Sequence, residues 1–392
     1  MKRTIFAAGS LAAALLLAHP AFSPAQENLP PAIQLGAMEV HPYLMLTGTW
    51  NDNVYATADN EKSDFITTIT PGLGLKLPFR AHQITLGAHA EFARYADFTE
   101  LDTDSFQADA LGEFNIGERL NLKVGDTFLR AYESLLESPT KSSDRYDANI
   151  ASISAKYSFV DVTQLRLDYV LTTLDYRDDD ARSRTEGRFS AYLYYRVLPK
   201  TSAFLEYDYT SEDYDEATST LDSAANSGQI GAIWEISAIS KGTAKVGFQA
   251  KKFDDAGIDD YSTWVASVEM THALSDMVQL HLVGARLVNE AKYAGPSYYT
   301  TTGLTGELTV WFLDRLAGIV SASYGRNEFS DPIVGDSEVR KDDRYTAGLG
   351  ARYNFNTWLS FEAEYTNINR DSNIDKYSAT ENALSLRVKA AL

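Results

Sequence analysis

Residues 188–197 read Arg-Phe-Ser-Ala-Tyr-Leu-Tyr-Tyr-Arg-Val, and the run ends in a turn of Leu198, Pro199, Lys200 and Thr201. Phe189, Ala191, Leu193, Tyr195 and Val197 share one parity, while Arg188, Ser190, Tyr192, Tyr194 and Arg196 share the other. Side chains of an extended chain alternate between two faces, so this is a strand with one apolar and one polar side. Water-soluble sandwiches contain such strands too. What separates a membrane barrel from them is repetition at spanning length, about 9 to 11 residues per strand, with no helix or second sheet to cover the apolar face.

The repetition is present. Phe106, Ala108, Ala110, Gly112 and Phe114 alternate with Gln107, Asp109, Glu113 and Asn115; Leu165, Leu167, Tyr169 and Leu171 alternate with Arg166 and Asp168. Leu304, Gly306, Leu308, Val310 and Phe312 face away from Thr305, Glu307, Thr309 and Trp311, and Leu359, Phe361, Ala363 and Tyr365 oppose Ser360, Glu362 and Glu364. Charges keep to the polar parity, as lipid exposure requires when a midplane cation costs about 2 to 4 kcal/mol.

Eight short turns recur roughly every forty residues: Leu77–Arg80, Ile116–Arg119, Val160–Thr163, Leu198–Thr201, Ser237–Gly242, Ala273–Asp276, Leu313–Arg315 and Asn354–Thr357. Strands on both sides of them, with a first near Tyr43 to Tyr55 and a last near Lys376 to Leu392, predict a single all-β, antiparallel, up-and-down transmembrane barrel. The count is about 18 strands, within 16–18, because Ala224 to Ile236 has weak periodicity. An even count places both termini in the periplasm, with short turns there and long acidic connections outside. The last segment, with Leu384, Leu386, Val388, Ala390 and Leu392 opposite Ser385, Arg387 and Lys389, looks like a C-terminal signal for the barrel-assembly machinery, with Leu392 in place of the usual aromatic.

Lys2 and Arg3, an apolar run from Ile5 to Leu17, and Ser23-Pro24-Ala25 read as a cleaved secretory signal over 1–25, cut after Ala25. Residues 26–40 read as a short periplasmic lead-in, extended by Pro30-Pro31, and 41–392 as the barrel, with no second domain expected. After the signal no apolar run approaches the roughly 18 residues of a membrane helix. The hydrophobic share of 44% and mean hydropathy of −0.25 resemble a soluble protein only because opposite faces cancel in an average. The chain has no cysteine, which excludes disulfides and thiolate chemistry. Without Lys2 and Arg3 it carries 33 basic against 54 acidic residues, a net of −21, which excludes nucleic-acid binding. With 23 Tyr and 18 Phe, the aromatics suit the interfacial girdles of an outer-membrane barrel.

The polar parity supplies the candidate pore lining. It consists of Arg166 and Asp168; Arg188, Tyr192, Tyr194 and Arg196; Glu206 with Asp208; Glu307 and Trp311; Arg352; Glu362 with Glu364; and Arg387 with Lys389. The signs are mixed, so strong ion selectivity is not expected. Tyr192, Tyr194 and Trp311 beside charged groups suit a sugar track, since pyranose C–H faces stack on rings while hydroxyls bond carboxylate and guanidinium; space-filling rings are the alternative. His41, His82, His89, His272 and His281 have no partner at catalytic spacing, so neither a nucleophile site nor a metal or other cofactor is expected. Acid runs at Asp175, Asp178, Asp179 and Asp180, at Glu212, Asp213, Asp215 and Glu216, and at Asp254, Asp255, Asp259 and Asp260 are placed on the outer loops. There they form a solvated rim or bridge through divalent cations to lipopolysaccharide phosphates. Outer-membrane lipid is the expected surrounding.

Asn51-Asp52-Asn53-Val54-Tyr55, then Ser63-Asp64-Phe65-Ile66, then Thr70-Pro71-Gly72-Leu73 resemble the β-barrel porin type 2 family of outer-membrane barrels. The Asn-Asp-Asn stretch reads as a strand end entering the first outer loop, and Pro71-Gly72 as an interruption or bulge in the second strand. The resemblance implies a conduit or accessory barrel for exopolysaccharide export, partnered by polysaccharide and periplasmic export proteins. The alternative is a general or substrate-selective diffusion porin, for which the connection Ala131 to Tyr146 is long enough to fold inward as a constriction; an outer-membrane enzyme comes third.

Overall fold

The computed structural model describes residues 32–133, 135, 144–177, 180–216, 219–236, 239–291 and 293–392. The signal segment and most of the connection between Ala131 and Tyr146 lie outside them, as do Asp178 and Asp179. A three-residue strand, β1 (Ile33–Leu35), pairs with the start of β2 through a tight turn at Gly36, whose φ of 66° suits glycine. Eighteen strands then follow in a meander, each 13–16 residues long: β2 (Met38–Asn51), β3 (Asp64–Phe79), β4 (His82–Tyr95), β5 (Thr103–Ile116), β6 (Leu120–Tyr132), β7 (Arg145–Val160), β8 (Thr163–Tyr176), β9 (Arg184–Leu198), β10 (Thr201–Tyr214), β11 (Ser223–Ile236), β12 (Ser240–Phe253), β13 (Tyr261–Ala273), β14 (Val278–Glu290), β15 (Tyr298–Leu313), β16 (Leu316–Phe329), β17 (Lys341–Asn354), β18 (Leu359–Ser372) and β19 (Ala379–Ala391).

Every strand pairs antiparallel with its neighbours in sequence, and β19 pairs with β2 from Ala383 opposite Asn51 to Ala391 opposite Tyr43. The sheet therefore closes on itself with no free edge strand, and its ladder is incomplete only where β13 and β14 part beyond Ala266 and Arg286 among the described residues. Strands of this length, tilted by about 40°, rise roughly 35 Å, more than the apolar band of about 25 Å, so their ends project beyond the lipid.

The two faces follow the parity of the sequence. Outward side chains stay exposed although large and apolar, among them Leu205 at 58%, Phe248 at 72% and Leu349 at 63%, whereas inward Asp168 and Glu206 are 3% and 4% exposed. A continuous apolar exterior around a polar, buried interior is a barrel whose solvent is lipid.

All eight short turns lie where the sequence places them, within one to three residues. Three boundaries differ. β2 starts at Met38 and stops at Asn51, so Val54 and Tyr55 belong to the first long loop; β19 starts at Ala379, after a 3₁₀ turn over Asp375–Tyr377; and Ser240 already belongs to β12. Pro71 interrupts the ladder on one side only. Thr70 and Pro71 have no partners on β4, yet Ile69 opposite Phe92 and Gly72 opposite His89 keep one register, so there is no bulge.

Candidate functional site

The inward faces of β8, β9, β10 and β12 form one charged wall. Asp168 accepts a hydrogen bond from Ser154 (2.6 Å) and pairs with Arg166 (3.0 Å), whose guanidinium lies 3.8 Å from the Tyr192 ring centre. Tyr194 stacks beside Tyr192 at 5.9 Å, and Phe204 completes the aromatic group. Phe204 lies over Gly231 on β11, where a Cβ would come within 2.4 Å of its ring. Next to it Glu206 accepts from Lys245 (2.6 Å), while Asp208 gathers Ser190, Ser227 and Gln229. These positions sit next to one another because their residues are cross-strand partners: Asp168 opposite Ser190, Arg166 opposite Tyr192, and Tyr192 opposite Glu206.

The second wall is built by β17, β18 and β19. Glu362 takes Arg352 on one oxygen and Arg387 on the other, each at 2.7 Å. Lys389 lies 4.9 Å from the Tyr43 ring, and these groups with His89 and Glu91 border a recess of roughly 250 Å³. Nine strands separate β9 from β18 in a circle of eighteen, so the two walls face each other across the bore. Both lie in its short-turn half: Tyr192 is six residues from Leu198, and Arg387 four from Ala391.

The long-loop half is narrowed by β14 and β15. Pairing of β13 with β14 stops at Ala266 opposite Arg286, although β13 begins at Tyr261 and β14 runs to Glu290. Glu290 has the parity of the outward Leu282, yet its carboxylate accepts from Lys251 of β12 and from the Tyr214 hydroxyl of β10 at 3.0 Å. Tyr298 of β15, also of outward parity, packs tilted against Tyr261 from the inner face of β13, with ring centres 4.1 Å apart. Four strand spacings amount to about 19 Å, beyond the combined reach of a Glu and a Tyr. The end of the β14–β15 hairpin therefore bends inside the wall. Lys251, 2% exposed, fixes it by bonding Glu212 and Glu290 together, with Ser223 donating to Glu212.

Of the predicted lining, Arg166, Asp168, Tyr192, Tyr194 and Glu206 meet on the first wall, and Arg352, Glu362 and Arg387 on the second. Arg188 lies on inward parity apart from both groups, and Glu307, inward near Thr309, faces Glu364, which lies beside Glu362 and Arg387 at the border of the second wall. Trp311 is inward with a buried indole Nε1 that has no acceptor among the described residues. Arg196 is exposed beside the β9–β10 turn. Two expectations are corrected. Glu212 and Asp213 belong to β10, and Asp175 to β8, so these acids are not loop residues; Glu212 lines the bore. Charge also appears on the outward parity near the long-loop end, where Arg94 pairs with Asp104 and Arg130 with Asp147, beyond the apolar belt. Sequence reasoning missed Phe204, Lys245 and Lys251. Phe204 shares parity with Glu206 and was legible, whereas the lysines sit in β12, where Gly242, Ala244 and Gly247 flatten the alternation. Among the described residues no group of three or more His, Asp or Glu is placed to hold a metal ion.

A closed eighteen-strand wall, apolar outside and polar inside, defines an integral outer-membrane β-barrel of porin type. The chain belongs to the family described as "Putative beta-barrel porin 2", whose model matches residues 30–392. Among solved structures it is similar to OccAB3 of Acinetobacter baumannii, at 11% identity over 91% of this chain and 100% of that one, with a TM-score of 0.50. It is similar to OccAB2 of the same organism at 12% identity, over 91% and 99% of the two chains, with a TM-score of 0.50. At such identities the likeness is one of fold. No curated protein matches the chain.

Proposed function

We propose that the protein is a diffusion porin for small polar solutes, general or selective, with the short-turn end and both termini in the periplasm after removal of residues 1–25. The observation that carries this reading is the inward bend of β14–β15, held by Lys251 between Glu212 and Glu290. Eighteen strands close a wall about 35 Å across, which without inward structure would leave a wide aqueous channel. An inward-bent element lined by opposed charges is what turns such a channel into a size filter. Transport is passive, and the mixed charge on the two walls further down selects solutes by shape and hydrogen bonding more than by sign.

Export of an exopolysaccharide is the second reading. The Arg166, Tyr192, Tyr194 and Phe204 group supports it, because stacked rings flanked by Asp168 and Glu206 offer both a platform and polar partners to a sugar. Periplasmic export proteins would then be partners.

Single-channel conductance of the refolded barrel in a planar bilayer tests both. Steady current that polysaccharide from the native host leaves unchanged supports the diffusion porin. Reversible block by that polymer, lost in Arg166→Ala and Tyr192→Ala, supports the conduit. Absence of current sinks both.

A further inference from the structure

The bend of β14 leaves a seam in the barrel wall. Above Ala266 and Arg286 the facing edges of β13 and β14 are no longer hydrogen-bonded to each other: Tyr261 to Val265 pair only with β12, and Leu287 to Glu290 only with β15. The seam begins at the height of the outer apolar belt, because Trp264, 47% exposed, lies opposite Phe248, 72% exposed, on the lipid face. Unpaired backbone at that depth is costly unless something polar reaches it.

Arg286 stands in this seam, four residues or about 13 Å along the strand from the end of β14. Its guanidinium lies 4.9 Å from the Trp264 ring and donates to Thr302 (2.8 Å) and Thr263 (3.3 Å), while its Nε is buried without an acceptor. Thr263 and Trp264 belong to opposite faces of β13, so the guanidinium lies in the wall itself, between bore and lipid. Other outward arginines near this end have carboxylates: Arg94 has Asp104 at 2.6 Å, Arg130 has Asp147 at 2.7 Å, and Arg326 has Glu328 at 3.3 Å. Among the described residues Arg286 has none. In a chain with 54 acidic residues against 35 basic ones, a wall cation without a carboxylate is conspicuous.

We propose that the β13–β14 seam binds the anionic head of a membrane amphiphile, with Arg286 as the anchor and Trp264 as the ring against which the first methylenes lie. A phosphate or carboxylate head would supply the missing counter-charge, accept from the buried Nε–H, and offer acceptors to the unpaired N–H groups of the seam. Its tail would lie on the apolar belt beside Phe248. The source is a lipid-anchored anion and not a free one, because the site opens at belt height and Trp264 adds an apolar wall to it.

The test is native mass spectrometry of the refolded barrel released from neutral detergent, with dodecyl phosphate as the probe. Dodecyl phosphate should be retained, dodecyltrimethylammonium should not, and inorganic phosphate at equal concentration should neither be retained nor displace it. Arg286→Gln should weaken retention about tenfold, as loss of a charge-assisted head contact does, and Arg286→Lys should restore most of it. Equal retention of the cationic amphiphile, or full retention by a folded Arg286→Gln, overturns the proposal; inorganic phosphate that binds as well as dodecyl phosphate makes the site a free-anion site and overturns it too. The comparison of head-group signs needs only the unmutated barrel, so it decides even where Arg286→Gln fails to fold. Conductance plays no part in this readout, so the outcome is independent of what crosses the bore.

Discussion

Glu290 at the end of β14 and Tyr214 at the end of β10 share a 3.0 Å hydrogen bond although four strand positions separate them around the wall. The bond spans a chord of the barrel, not its circumference, and it fixes how far the β14–β15 end leans into the bore. The neighbouring Lys251 bonds both Glu290 and Glu212, so a single ammonium holds two carboxylates together.

That arrangement makes the lysine the more sensitive partner. Lys251→Met leaves Glu212 and Glu290 facing each other with only Arg184, itself paired with Glu186, to offset them, and like charges in a buried setting repel strongly. Glu290→Gln keeps one ion pair and an acceptor for Tyr214. Lys251→Met is expected to release the bend and raise single-channel conductance by on the order of twofold, with Glu290→Gln changing it less. Equal conductance in all three proteins would mean that the bend does not limit flow.

Gly72 of β3 lies opposite Tyr43 of β2, and the tyrosine ring covers it so closely that a Cβ would sit 2.1 Å from a ring carbon. Gly72→Ala therefore forces the ring out of place, and overpacking of this kind costs about 1 to 3 kcal/mol. The urea midpoint of the folded barrel should fall, and Tyr43→Ala introduced into Gly72→Ala should recover part of the loss. Failure of the second change to recover any stability would show that the cost comes from the strand backbone and not from the ring.

Much of this architecture is legible in the sequence, for a local reason. The short turns and the alternation around Phe189, Leu193 and Val197 are set by nearest neighbours along the chain, so strand number, face and the two walls follow from parity. Leu287-Val288-Asn289-Glu290 was not legible in the same way, because it alternates like any other strand end. Its inward bend depends on Lys251 and Tyr214, 39 and 76 residues away, which sequence spacing does not bring together. The same holds for the acid run at Glu212: next to Asp213, Asp215 and Glu216 it reads as loop, and only its place opposite Ser223 and beside Lys251 puts it in the bore.

The loops at the long-loop mouth are joined by a latch whose carboxylate makes it sensitive to acid. Lys376 bonds Asp336, the Tyr377 hydroxyl donates to the same carboxylate at 2.9 Å, and Arg340 lies 4.0 Å from the Tyr377 ring centre, so the connections 330–340 and 373–378 hold each other. The Lys376 ammonium keeps the Asp336 carboxyl below the ordinary aspartate range, burial opposes this, and the Tyr377 hydrogen bond adds to it. A carboxyl lowered on folding contributes stability that is fully present above its unfolded value of about 3.9 and is lost as pH falls through the lower folded value. Current flicker from loop motion should therefore be rare at pH 7 and increase only below about pH 4, and Asp336→Asn should flicker at pH 7. If Asp336→Asn is as quiet as the unmutated barrel, these loops are held by other contacts.

Glu362 sets the charge of the second wall, because it alone bridges Arg352 and Arg387, each at 2.7 Å. Glu362→Gln removes one negative charge and leaves two guanidiniums beside Lys389 at the edge of the recess that also includes His89 and Glu91. The side chain stays nearly isosteric, so packing changes little, while the two cations lose the partner that neutralised them and repel each other. Part of that repulsion is screened by the water and salt of the bore, where the Debye length is about 8 Å at physiological ionic strength. The expected result is a shift of the reversal potential toward anion selectivity in a potassium chloride gradient, of roughly 5 to 15 mV, larger at low salt than at high. The control is Arg387→Gln, which removes one of the two cations and should move the potential the other way. Shifts of the same sign in both variants would mean that the wall changes shape when the bridge is cut, and that its fixed charge does not govern permeation.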